Sequence, residues 1–373
     1  MALPNILYIR LKAIFILFLF VFIVKNFKVN AQVSFTDNLF LGLNYQTGYI
    51  LPEYQFVNYI TNESFHAFDL CLTKATVGKT YWEQLYKYPY YGISFYHSSL
   101  GNDKVFGKEF AVTVFFKMDI IQKEKFRLYN RTGVGLGYVT RKFDIENNYL
   151  NVAVGSHINI HFNQRLGVGY KLNDNFELKS GLSFDHFSNA NMSEPNLGIN
   201  STSVFAGLNY LIGNTTEKII REPDAFTRES YVDAILSFGG KHTRALSAEV
   251  FFTSSFAIEW HYKINRSIHL GAGADVFFDS SIETLFHDSD RNYNTNDSFQ
   301  TGLHISQSFV YDRFNIAFQE GVYIFLKEQI ENYPVYTRGI LKYRLSNRLS
   351  VRLAMKSHLH ILDYPELGLG VRF

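Results

Sequence analysis

The chain holds a single cysteine, Cys71, so no disulfide can form within it and a zinc-finger type of metal cluster is excluded. Prolines number only 7, and charged residues make up 19% of the sequence. The charges nearly cancel, 36 Lys and Arg against 34 Asp and Glu, and no long basic run accompanies the small excess. That balance argues against a dedicated nucleic-acid binder. Long apolar runs are also missing: past the N-terminal segment, no stretch is apolar for long enough to cross a membrane as a helix. Aromatic residues are abundant instead, with 36 Phe and 25 Tyr interleaved with 25 Gly and many polar residues. Such interleaving suits many alternating strands better than helices. At 373 residues the chain has room for two domains or for one large β structure.

The first thirty residues stand apart. Arg10 and Lys12 precede the apolar run Ala13 to Val24, and the small-residue site Val29-Asn30-Ala31 comes just before Gln32. The run is too short for a transmembrane helix of roughly 20 residues and matches a secretory signal peptide, which carries the protein out of the cytoplasm.

Period-2 segments recur along the rest of the chain. Phe176, Leu178, Ser180, Leu182 and Phe184 share one face of a strand, and Glu177, Lys179, Gly181, Ser183 and Asp185 share the other. The next strand repeats the pattern, with Val204, Ala206, Leu208, Tyr210 and Ile212 set against Ser203, Gly207 and Asn209. An apolar outside with a polar, glycine-containing inside is what an outer-membrane barrel requires, although a soluble sandwich alternates in the same way. The connections separate the two. Short turns at 172–175, 264–267, 311–313 and 345–348 alternate with longer loops at 141–151, 189–200, 279–298 and 327–334, as in a barrel with short turns at one end and long loops at the other. The final segment, Glu366 to Phe373, is an amphipathic strand ending in an aromatic residue, like the C-terminal signal of such barrels.

About eight strands are expected between Asn38 and Ile212 and about eight more before Phe373, an even number in each half. The fold class is therefore all-β, a transmembrane antiparallel barrel. The polar stretch from Gly213 to Glu229 divides the halves, which form two eight-stranded barrels or one barrel of about sixteen strands.

Reactive chemistry concentrates at one strand end. His186 and Ser188 are two residues apart, so their side chains leave the same face of a sheet with Cα atoms about 6–7 Å apart. An imidazole can reach a hydroxyl across that gap and act as the base for a serine nucleophile. The face they share is the apolar one. In a barrel it meets lipid, which favours a membrane lipid as substrate over a soluble ester. Asn200 has the parity of Val204 and Ala206 and faces outwards beside His186 if the strands pair in register. Asn189, Asn196 and main-chain amides around Ala190 are candidates for stabilising an oxyanion. Glu194 is the alternative acid in the loop, while Asp185 has the opposite parity.

The segment His186-Phe187-Ser188-Asn189-Ala190, with Pro195-Asn196 and Gly198-Ile199, resembles the active-site region of the PagL-type lipid A 3-O-deacylases, eight-stranded outer-membrane barrels. Upstream segments that share the resemblance are 88–92, 133–138 and 155–157, and it covers roughly Asn38 to Ile212. The resemblance implies an outer-membrane serine esterase, an acyloxyacyl hydrolase type of carboxylic-ester hydrolase, that removes a fatty acyl chain from lipid A of lipopolysaccharide. It implies Ser188 as nucleophile and His186 as base. Where the better-known members carry a glutamate, this chain has Asn200, which can accept the histidine N–H but supplies no charge. The implied organisation is a signal peptide over 1–31, a deacylase barrel over 32–213, a linker over 214–229 and a further barrel region over 230–373. The scheme needs no cofactor or metal, leaves the oligomeric state open and places the protein in the bacterial outer membrane. The competing reading is a non-catalytic barrel, either a porin-like channel or a surface interaction protein.

Other features read more plainly. Gly133, Gly135 and Gly137 alternate within a strand with no P-loop lysine after them, so they are small inward positions of a narrow barrel. His157, His161, His242, His269, His304, His358 and His360 are scattered, and the acidic, Asn-rich stretch Asp288 to Asp297 reads as a solvated loop.

Overall fold

The computed structural model describes residues 36–373 except 53–54, 62, 222–224, 244–248, 326–333 and 359–360. The segment expected to be a signal peptide, His360 and most of the 327–334 loop lie outside the described residues.

The alternating segments fold into sixteen strands that close into two barrels of eight, each strand antiparallel to its neighbours. The first barrel is β1 (Leu39–Leu51), β2 (Phe65–Ala75), β3 (Tyr90–Ser99), β4 (Lys108–Gln122), β5 (Phe126–Val139), β6 (Ile158–Lys171), β7 (Phe176–Ser188) and β8 (Ile199–Leu211). The second is β9 (Ser230–Lys241), β10 (Phe251–Lys263), β11 (Ile268–Asp279), β12 (Phe299–Tyr311), β13 (Phe314–Phe325), β14 (Val335–Arg344), β15 (Leu349–His358) and β16 (Ile361–Arg372). Strand β1 pairs with β8, and β16 pairs with β9. Closure leaves no unpaired edge, the condition for a sheet to cross lipid. The choice between two barrels and one of sixteen strands is thereby settled as two.

Apolar residues of one parity form an exposed belt around each barrel, among them Leu43, Phe68, Ile93 and Val112 in the first and Phe256, Ile305 and Phe318 in the second. Polar residues of the other parity fill the lumens. In the first, Asp69 accepts Arg131 at 2.7 Å and also pairs with Arg165, while the Cys71 thiol donates to Asp69 at 3.2 Å. Gly133, Gly135 and Gly137 have the inward parity that their alternation predicts, on the same face as buried Tyr129, Arg131 and Val139. In the second, Asp275 holds His304 at 2.5 Å and Arg338 at 2.8 Å, and Glu366 accepts the Ser255 hydroxyl at 2.6 Å.

Each barrel has a turn end and a loop end. The tight connections at 172–175, 264–267, 312–313 and 345–348 lie at the turn ends, where Leu172 N–H, Ile264 N–H and Leu345 N–H close back on the following strand. At the loop ends are α1 (Gln55–Ile60), α3 (Ser281–Asp288) and a 3-10 turn at Thr295–Ser298, in which Asn294 and Asp297 cap each other. One turn-end connection, residues 76–89, is long and carries α2 (Tyr81–Leu85). From it Tyr86 stacks on Tyr311 of the second barrel at 4.3 Å and donates its hydroxyl to the Val310 carbonyl at 2.7 Å. At the opposite end, the Asn191 amide donates to the Asp363 carbonyl at 3.0 Å. The barrels therefore stand side by side with their turn ends together.

An apolar plug closes the loop end of the first barrel from inside. Phe106, Tyr96, Val154, Phe187 and Ile199 are among its buried members. It matters here because Phe187 lies between His186 and Ser188 in β7, and Ile199 precedes Asn200 in β8.

Candidate active site

Alternation along β7 sends Phe187 inward and its two neighbours outward. Phe187 is 1% exposed in the plug, so the strand end bearing His186 and Ser188 is clamped from the lumen side. Inward Asp185 is committed elsewhere, accepting from His161 Nε2 at 3.1 Å, while His161 Nδ1 faces Glu109 at 2.8 Å. It takes no part in the outer face, in keeping with its parity.

The register pairs His186 with Asn200 across β7 and β8. With the Asn200 carbonyl oxygen turned to the ring at 2.7 Å, Nδ1 carries the proton and donates it. That leaves Nε2 with its lone pair facing the Ser188 hydroxyl at 3.0 Å, which donates to it. A base, its hydroxyl and an orienting oxygen thus form one hydrogen-bonded chain, half-buried on the belt face. On the other side β6 sets Phe162 beside His186 and Ile160 beside Ser188.

The 189–198 loop covers this chain. Its Asn189 side chain accepts from Met192 N at 3.0 Å and Ser193 N at 3.3 Å and donates to Ser193 O at 2.7 Å. The Asn189 N–H in turn goes to Asn196 Oδ1 at 2.8 Å. Asn189, expected as an oxyanion donor, directs its backbone N–H and one amide N–H into shaping the loop, because an Asn side chain folds readily onto nearby backbone groups. The Asn196 NH2 group has no hydrogen-bond partner among the described residues. Ala190 and Asn191 adopt φ of 56° and 59°, left-handed values that cost a non-glycine residue about 1–2 kcal/mol each. The Ala190 N–H has no hydrogen-bond partner among the described residues.

Glu194 is not within hydrogen-bond reach of His186. Burial pushes its carboxyl above the usual carboxylate range, opposed by the Asn196 N–H and the charge of His242 from the second barrel's loop. The loop rests on a neighbouring one through Gly198 N–H to Ala153 O at 2.9 Å and the Ser193 hydroxyl to Gly155 O at 3.1 Å.

Gly198 belongs to the site without having been singled out for it. Its φ is 74°, and a Cβ there would stand 3.0 Å from His186 Cε1 and 3.4 Å from the Ser188 Cβ. Only glycine lets the loop close over the pair. The signal for it was present in the Gly198-Ile199-Asn200 run, but only the loop's backbone reveals what the glycine touches.

Closed antiparallel barrels with lipid-facing belts define an outer-membrane type of barrel protein, here with a serine–histidine pair on the belt. Residues 69–209 match the model of the lipid A 3-O-deacylases (PagL), and residues 230–373 match that of the acyloxyacyl hydrolase C-terminal domain. The two matches take in most of the chain, and it belongs to the PagL family. Among solved structures, the outer-membrane enzyme PagL is similar at 16% identity, over 44% of this chain and 97% of its own, with a TM-score of 0.31. Neisserial surface protein A is similar at 11% identity, over 47% and 98%, with a TM-score of 0.32. No curated protein matches the chain.

Proposed function

We propose that the protein is an outer-membrane esterase that removes an ester-linked fatty acyl chain from lipid A. The observation that carries this reading is the Asn200–His186–Ser188 chain on the lipid-facing side of a closed barrel. Ser188 Oγ attacks the ester carbonyl carbon as His186 Nε2 takes the hydroxyl proton. The Ala190 N–H, and the Asn196 NH2 group beside it in the loop, are the donors offered to the oxyanion. Collapse expels the sugar oxygen, which leaves with the proton from His186, and Ser188 holds the acyl group as an ester. Water, deprotonated by His186, then releases the fatty acid and restores Ser188. Asn200 holds the imidazole in the tautomer this sequence needs. No step calls for a cofactor.

The test is mass spectrometry of lipid A from cells expressing the wild-type protein or Ser188→Ala. Loss of one ester-linked chain in the first and none in the second is expected. Identical acylation with both proteins folded would overturn the proposal.

A further inference from the structure

Most outward residues of the first barrel are exposed, but one stripe is not. On β5, Leu128, Asn130 and Thr132 are half-buried at the turn-end half, while Val134, Leu136 and Tyr138 beyond them are exposed. On β6 the half-buried set is Ile160, Phe162 and Gln164 at the loop-end half, and Leu166, Val168 and Tyr170 are exposed. Strands of a barrel tilt by roughly 35–45°, so a stripe that climbs from one strand to the next runs along the barrel axis. A second wall standing parallel to the barrel covers a surface in that way.

The stripe also contains polar side chains of lipid-facing parity. The Thr132 hydroxyl donates to Gln164 Oε1 at 2.7 Å, with Asn130 Oδ1 3.3 Å away. Groups of this kind are costly against hydrocarbon and tolerable against protein. Both ends of the stripe lead to contacts with the second barrel. At the turn end Phe116, half-buried on β4, meets Tyr311 edge-on at 5.2 Å. At the loop end stands the Asn191–Asp363 hydrogen bond. On the second barrel, the outward residues of β15 from Val351 to Ser357 are all half-buried, whereas those of β13 are exposed.

We propose that the second barrel docks along this stripe and stands as a wall beside Ser188, so that the departing acyl chain lies in the angle between the barrels. The floor of that angle is the exposed outer surface of β7 and β8, with Leu182, Phe184 and Val204. Asn191 is the positioning residue: its amide ties the site loop to the Asp363 carbonyl, and the Asp363 carboxylate is itself anchored by Lys356 at 2.7 Å and Lys241 at 3.2 Å. The docking stands on geometry alone, and the role given to it in binding the acyl chain rests on the deacylase reading.

Two measurements on the full-length chain test it. In a Cys71→Ser background, a fluorophore attached at Gln164→Cys or at Val204→Cys is placed in vesicles containing brominated phosphatidylcholine. Several-fold weaker quenching at 164 than at 204 is expected, and equal quenching overturns the docking. Asn191→Gly keeps the left-handed backbone accessible while removing the tie. It should raise KM for lipid A about fivefold and leave kcat within about twofold. Wild-type kinetics in that variant would remove Asn191 as a positioning residue. A wild-type protein that fails to deacylate would overturn the proposed reaction, while quenching would still decide the docking.

Discussion

Asn200 is the residue on which the chemistry turns. An asparagine oxygen selects the same imidazole tautomer as a carboxylate, but a neutral amide stabilises the transient imidazolium less. Asn200→Asp, nearly equal in shape, should therefore raise kcat by about tenfold, or about 1.4 kcal/mol of barrier. Asn200→Leu, which loses orientation as well, should lower it by about ten- to a hundredfold. Deacylation rates on purified lipid A in detergent decide both, and an Asp variant slower than wild type would count against the role assigned to Asn200. Gly198→Ala adds a methyl 3.0 Å from the imidazole at a φ of 74°. It should abolish most activity while costing only about 1 kcal/mol of stability, read by urea unfolding. The outward group His186, Ser188 and Asn200 was legible in the sequence because strand parity and register suffice to place it. Asn189 and Asn196 were named from the sequence as oxyanion candidates, but the hydrogen bonds by which they shape the loop, and the contact Gly198 makes, were not legible, since they depend on how the 189–198 loop folds on itself.

At the scale of elements, β7 works as a lever held at its inner side. Phe187→Ala would open a cavity in the plug and cost about 3–5 kcal/mol, and it should lower activity although residue 187 faces away from the substrate. Urea unfolding followed by tryptophan fluorescence measures the first effect, and the deacylation assay the second. The site loop carries its own pH dependence through Glu194, whose carboxyl is raised by burial. A raised carboxyl binds its proton more tightly in the folded state. The loop is therefore steadier below the ordinary glutamate range, and that gain is lost as pH rises through the raised value. Hydrogen exchange of residues 189–198 should accordingly show a pH-dependent loss of protection that Glu194→Gln removes. An unchanged profile in the variant would assign the effect to another group. The strands were readable from period-2 alternation, and the four tight turns from their polar residues. Helix α2 was not, because Tyr81–Leu85 is short and belongs to a connection whose partner, Tyr311, is supplied by the other half of the chain.

For the whole molecule, the number of barrels was the illegible part. Alternation reports which way each side chain faces and says nothing of which strand closes the ring. Closure depends on the β1–β8 pairing, between residues such as Tyr45 and Ala206, and on the β9–β16 pairing. Two rings of eight have narrow lumens that side chains can fill, whereas a ring of sixteen leaves a water channel. The first lumen is crossed by the Asp69–Arg131–Arg165 group and sealed at its loop end by Phe106 and Phe187. A cavity there of about 20 Å3, lined by Lys117, Arg131, Arg165 and Lys179 among others, has room for about one water. The second lumen is crossed by Asp275–Arg338 and, nearer its loop end, by Lys241–Asp279 at 2.5 Å and Lys356–Asp363. Each of these pairs is fully or nearly fully buried, and because the charges share partners, as Asp69 does with Arg131 and Arg165, they form networks in which removing one member unbalances a buried cluster. Among the described residues, buried ion pairs cross both lumens, so the protein should give no stepwise conductance in planar bilayers at voltages where porins conduct. Discrete open-channel currents from the purified, folded protein would contradict the packed lumens and would favour the channel over the esterase.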